Sequence, residues 1–63
     1  LLLSEREIQI LKLLANGSTS EDIASQLQIS GLTVKTHRKN MMLKLKASNG
    51  MELIKKAFEK GLI

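Results

Sequence analysis

"TSEDIASQLQISGLTVKTHRKNMMLKLK", residues 19–46, contains two helix starts and, from Ser30 onward, no acidic side chain. Thr19 precedes Asp22 by three residues, the spacing at which a hydroxyl and a carboxylate satisfy each other's backbone donors in a capping box. Ile23, Ala24 and Leu27 then form an apolar stripe about two turns long. After the brief connection Gln28-Ile29, Ser30 caps a second helix, and Val34, Met41 and Leu45 mark its inward side at spacings of seven and four. Ala24 stands ten residues before Val34, and a small side chain there lets the two helices approach closely. Ile23, Leu27, Ile29 and Val34 seal the corner between them. The stretch therefore reads as a short helix, a tight turn and a longer basic helix.

The flanks continue the pattern. Ser4 and Glu7 repeat the capping-box spacing and predict a first helix, with Ile8, Ile10, Leu11, Leu14 and Ala15 on one broad side and Leu13 at its boundary. Gln9, Lys12 and Asn16 lie on the other side, and Gly17 supplies a left-handed stop. Asn49 with Glu52 predicts a fourth helix, whose buried side is Leu53, Ile54, Ala57 and Phe58 and whose end is Gly61. The chain has no Pro, only 2% aromatic residues and apolar positions at helical spacing, so the expected fold is all-α: a compact four-helix domain with no strands. No internal repeat, linker or low-complexity segment is visible. Only Gly17-Ser18 and Ser48 to Gly50 read as loops.

With 63 residues the chain is one domain, residues 1–63, expected to bury roughly 60% of its unfolded surface. It starts without Met, and we expect it to be the C-terminal part of a longer polypeptide. Having no Cys, it offers no disulfide and no thiolate ligand. No apolar run approaches the roughly 20 residues of a membrane helix, which makes the expected location cytoplasmic, away from a membrane. Of ten Lys and Arg residues, five fall between Ser30 and Lys46, leaving five against six acidic residues elsewhere. All of the net charge of +4 thus comes from one segment, as a localised phosphate-seeking face requires.

Winding the third helix at 100° per residue puts Leu32, Lys35, Thr36, Lys39, Asn40 and Leu43 opposite Val34, Met41 and Leu45. Lys donates to guanine acceptors, Asn pairs with adenine, and a Thr or Leu methyl meets the thymine methyl, all in the major groove. Lys35, Thr36, Lys39 and Asn40 are the candidate base readers. Thr33, His37 and Lys44 lie along one flank and Arg38 near the other, where phosphates would run, with Lys46 beyond. Ser30 heads a helix N-terminus whose free N–H groups also suit a phosphate.

Plainer readings compete at each position. A basic helix face is usually only solvated. His37 has no second His, Cys or carboxylate partner at a fixed spacing, so it reads as an ordinary imidazole, and no catalytic residue, metal site or cofactor is expected. Met41 and Met42 read as gap-filling core residues, and the Glu5/Glu7 and Glu21/Asp22 pairs as first-turn acids favoured by the helix dipole. What raises double-stranded DNA above these is the agreement of spacing with charge in a helix-turn-helix. Single-stranded nucleic acid is disfavoured because Phe58, the only aromatic, is assigned inward. A helical protein-interaction module, with exposed Leu32 and Leu43, is the rival from another class.

The pieces "SERE" (4–7), "LLANG" (13–17), "IASQL" (23–27), "IS" (29–30) and "TVKTH" (33–37), in this order and spacing, resemble the DNA-binding domain of LuxR/FixJ-type bacterial transcription regulators. The likeness extends more loosely through residues 49–63. It implies four helices, with the third in the major groove, Lys35, Thr36 and Lys39 facing bases, and Thr33, His37, Arg38 and Lys44 near phosphates or supporting the helix. It also implies a homodimer through the fourth helix, here Met51, Lys55 and Glu59, and an N-terminal receiver or other sensory domain in the full-length protein. The sequence departs from the usual pattern at Gly31 for an acid, Leu43 for a polar residue, Lys46 for Gly, Gly50 for Arg and Gln9 for Glu.

Overall fold

The computed structural model describes residues 3–63 and holds four helices: α1 (Glu5–Ala15), α2 (Ser20–Leu27), α3 (Gly31–Leu45) and α4 (Gly50–Glu59). No strand occurs among the described residues. Each helix begins where a short polar side chain offers an acceptor to its first turn. Ser4 Oγ accepts from the Glu7 amide at 3.1 Å while Glu7 Oε1 accepts from the Ser4 amide at 2.9 Å. Thr19 and Asp22 repeat the exchange at 3.1 and 3.2 Å. Ser30 Oγ accepts from the Thr33 amide, and Asn49 Oδ1 from the Glu52 amide. At α4 the reciprocal half goes one residue further back, because Glu52 accepts from the amide and hydroxyl of Ser48.

The helix ends divide into two kinds. α1 and α4 close at Gly17 and Gly61, with φ of +93° and +71°, where the left-handed turn costs glycine nothing. Ser18 then donates to Leu13 O and Leu62 to Ala57 O. α2 and α3 close instead at Gln28 and Lys46, whose φ values of 57° and 56° place side-chain-bearing residues in the left-handed region at roughly 1–2 kcal/mol each. Both turns are held from the next residue. Ile29 donates to Ala24 O at 3.0 Å and Ala47 to Met42 O at 2.9 Å, and the side chains of Ile29 and Ala47 pack on the core.

α3 packs against all three other helices and presents Val34, Met41 and Leu45 to the centre, where they meet Ile10 and Leu11 of α1, Ile23 of α2 and Leu53 of α4. Truncating one of these, for example Leu53→Ala, should cost about 2–5 kcal/mol, a large share of what so small a domain has.

Two expected core positions are corrected. Ala15 is exposed, since α1 is already leaving the core when it reaches its C-cap. Phe58 is 69% exposed, not inward. Leu53 and Ala57 define the buried side of α4, and a residue one position past Ala57 is turned by about 100° away from it. Leu62 and Ile63 pack against the core after the chain reverses at Gly61.

Candidate nucleic-acid interface

The face of α3 opposite the core is built by helical period alone. Leu32, Lys35, Thr36, Lys39, Asn40 and Leu43 are all exposed, and Val34 and Met41 behind them are completely buried. Burying the back of the helix holds the front at a fixed orientation, and no acidic residue lies on it. Among the described residues neither Lys35 nor Lys39 is paired with a carboxylate. Thr36 is partly committed: its hydroxyl donates to Leu32 O at 3.0 Å, leaving an acceptor lone pair and a methyl group for anything outside.

At the N-terminal end of α3, the hydroxyls of Ser30 and Thr33 lie 2.8 Å apart, and both residues are exposed. His37 is half-buried and Lys46 exposed, while the backbone carbonyl of Lys46 accepts a hydrogen bond from Lys56 Nζ. Two other expected phosphate contacts have partners within the domain. Lys44 Nζ lies 2.9 Å from Glu7 Oε1, across the boundary between α3 and α1. Arg38 is half-buried, with Nη1 donating to Ser20 Oγ of α2 at 2.7 Å and Nη2 close to Gly50, the first residue of α4. A Cβ at Gly50 would come within 3.1 Å of that guanidinium nitrogen, so glycine leaves the room Arg38 occupies. Both cations tie neighbouring helices to α3.

Glu7 is the residue that the sequence reading missed. It is only 3% exposed, far from an ordinary first-turn acid. The signal was its place one turn before Ile10 and Leu11, on the apolar side of α1. Burial by itself pushes its carboxyl up, but the Ser4 amide, the Lys44 ammonium and the Ser4 hydroxyl together outweigh that and hold it below the usual glutamate value. At the far end of the domain, Glu52 is also lowered, by the Ser48 hydroxyl and amide and by Lys56 3.4 Å away. Among the described residues no group of three or more His, Asp or Glu side chains is arranged to hold a metal ion, and no helix is long and apolar enough to cross a membrane.

The sequence pattern of the GerE family, described as bacterial regulatory proteins of the luxR family, matches residues 1–57. The chain is 50% identical over 60 residues to the uncharacterized response regulatory protein YgeK of Escherichia coli K12, covering 95% of this chain and 41% of YgeK. It is 40% identical over 62 residues to the oxygen regulatory protein NreC of Staphylococcus epidermidis RP62A, covering 98% of this chain and 28% of NreC. The solved structure of the response regulator ChrA, from a heme-sensing two-component system, superposes with a TM-score of 0.94 at 41% identity, over 97% of this chain and 30% of ChrA. The chain thus spans less than half the length of these relatives. They carry names of regulators, not of enzymes. With its four helices, its capped turn into a basic α3 and a match that takes in residues 1–57, this chain belongs to the luxR family of bacterial regulatory proteins.

Proposed function

We propose that this domain binds double-stranded DNA in a sequence-specific manner, within a bacterial transcription regulator of the cytoplasm, by seating α3 in the major groove. The observation that carries the reading is the exposed, acid-free face of Lys35, Thr36, Lys39 and Asn40, held rigidly by Val34, Met41 and Leu45 at its back. Lys35 and Lys39 serve as donors to guanine, Asn40 as a partner for adenine and Thr36 as a contact to either a methyl or an amino group. Ser30, Thr33, His37 and Lys46 flank the groove and meet phosphates. Membership of the luxR family and the names of its response-regulator relatives support the same reading. We place the domain after an N-terminal receiver, because relatives named response regulators are more than twice as long as this chain.

The test is a duplex selected from a random pool, then titrated at several salt concentrations. Affinity should fall with a slope of about −0.9 per phosphate contacted on a log–log scale. Equal affinity for all duplexes would remove the specificity, and salt-insensitive or absent binding would remove the DNA reading altogether.

A second role is favoured for α4. Met51 is 84% exposed and Phe58 69%, one above the other at a spacing of seven, with Lys55 and Glu59 exposed beside them. We propose that Met51, Lys55 and Glu59, joined by Phe58, meet their two-fold copies in a homodimer on half-sites about 10 base pairs apart. Sedimentation on selected DNA should show two chains per site for the native sequence and one for Met51→Asp. Two chains with that variant would place the contact elsewhere.

A further inference from the structure

Leu32 is 76% exposed although it is a large aliphatic residue on the first turns of α3. Four residues on, Thr36 lies on the same face, and its hydroxyl proton is spent on Leu32 O at 3.0 Å. The bond fixes the threonine side chain and takes away its outward donor. Side by side at the N-terminal end of the helix are then an isobutyl group and a threonine with a methyl to offer. Lys35 and Lys39 stand on the same face, without a carboxylate partner among the described residues, and draw a polyanion over this step. The other exposed aliphatic of the face, Leu43, has the polar Lys39 and Asn40 one turn back.

Resting on the proposed DNA-binding role, we propose that Leu32 and Thr36 form an apolar step that selects the 5-methyl group of thymine in the major groove. The operator then carries thymine at the position or adjacent positions facing this step. Thr36 acts there through its methyl and Leu32 through its exposed end, the apolar contact by which a thymine differs from a cytosine. No proton or bond changes hands, so the recognition is independent of pH in the neutral range.

The chemistry allows a deletion of single methyl groups from the DNA. The full-length chain is titrated with a selected duplex in which each thymine in turn is replaced by uracil. At one or two positions the change should weaken binding about four-fold, the factor expected for one methyl group left in water. Leu32→Ala and Thr36→Ser should weaken the thymine duplex by a similar factor or more and make it indistinguishable from the uracil duplex. Thr36→Val, which keeps the methyl and removes the hydroxyl, should retain the preference. Replacing cytosine by 5-methylcytosine at the same position should restore binding to a duplex that lacks the thymine. Tight, selective binding with no uracil effect at any position overturns the methyl step and leaves the DNA-binding role standing, whereas no binding to any duplex overturns both. The uracil series uses the native protein throughout, so its outcome does not depend on whether a substituted chain folds.

Discussion

Lys35 and Lys39 on one side of α3 and Arg38 and Lys44 on its flanks are four cations of the same fifteen-residue helix, and the tertiary structure uses them in opposite ways. The first two are exposed and have no carboxylate partner among the described residues. The second two have partners within the domain: Arg38 donates to Ser20 of α2, Lys44 to Glu7 of α1. At 100° per residue the free pair lies about 100° and 140° from the centre of the buried stripe, on one side of it, and both residues are exposed. Arg38 lies about 40° from that centre on the same side and Lys44 about 80° on the other, where the long aliphatic stems can run along packed helices and bring the charged ends to α2 and α1. Positive charge on a recognition helix is thus not one resource. Part of it is available for a partner and part fixes the helix that presents it.

Removing the outward charges should produce the largest effect. Lys35→Ala with Lys39→Ala should cost about 2–5 kcal/mol of DNA affinity, with thermal stability unchanged to within about 0.5 kcal/mol. Affinity that survived this double change would move the interface off the outer face of α3. For the tied pair the order reverses. Lys44→Ala leaves the buried Glu7 carboxylate short of a partner and should destabilise the fold by about 1–3 kcal/mol in urea titrations, with the salt slope of binding unaltered. A slope lowered by about one unit at unchanged stability would return Lys44 to the phosphate contacts and dissolve the contrast.

Acid is a gentler way to cut the same tie. Because the folded state lowers the Glu7 pKa, its contribution is fully present above the ordinary glutamate value of 4.5 and is lost as pH falls through the lowered one. Urea midpoints should therefore drop below pH 4.5 in the native sequence and drop less in Glu7→Gln. Equal acid sensitivity in both would assign the loss to other carboxylates. The smallest change concerns the turn after the basic helix. Lys46→Gly relieves a left-handed, side-chain-bearing residue and should stabilise the domain by about 0.5–1 kcal/mol, since glycine's extra unfolded-state freedom offsets part of the relief. It should also weaken DNA binding slightly if Lys46 meets a phosphate. Stability gained without any loss of affinity would remove Lys46 from the interface.

The family likeness implies glycine where Lys46 stands, and the positive φ there supplies the reason: the third helix turns through the left-handed region whatever residue occupies the position. Gln28, which makes the same turn after α2, carried no such signal, because neither composition nor spacing marks it. Phe58 shows the complementary limit. Counting apolar residues on α4 placed it inside, but it follows Ala57 by one position, about 100° from the side that Leu53 and Ala57 bury, and is left exposed.

The amino-acid sequence alone determined the four helix starts, the inward stripe of α3 and the exposure of Lys35, Thr36, Lys39 and Asn40. Those features depend on contacts three or four residues apart and on the 3.6-residue period, which any helix obeys before it packs. Only the tertiary structure decided which cations remain free. Arg38 finds Ser20 across 18 residues and Lys44 finds Glu7 across 37, and pairings of that range depend on how the helices are stacked, which no local spacing encodes.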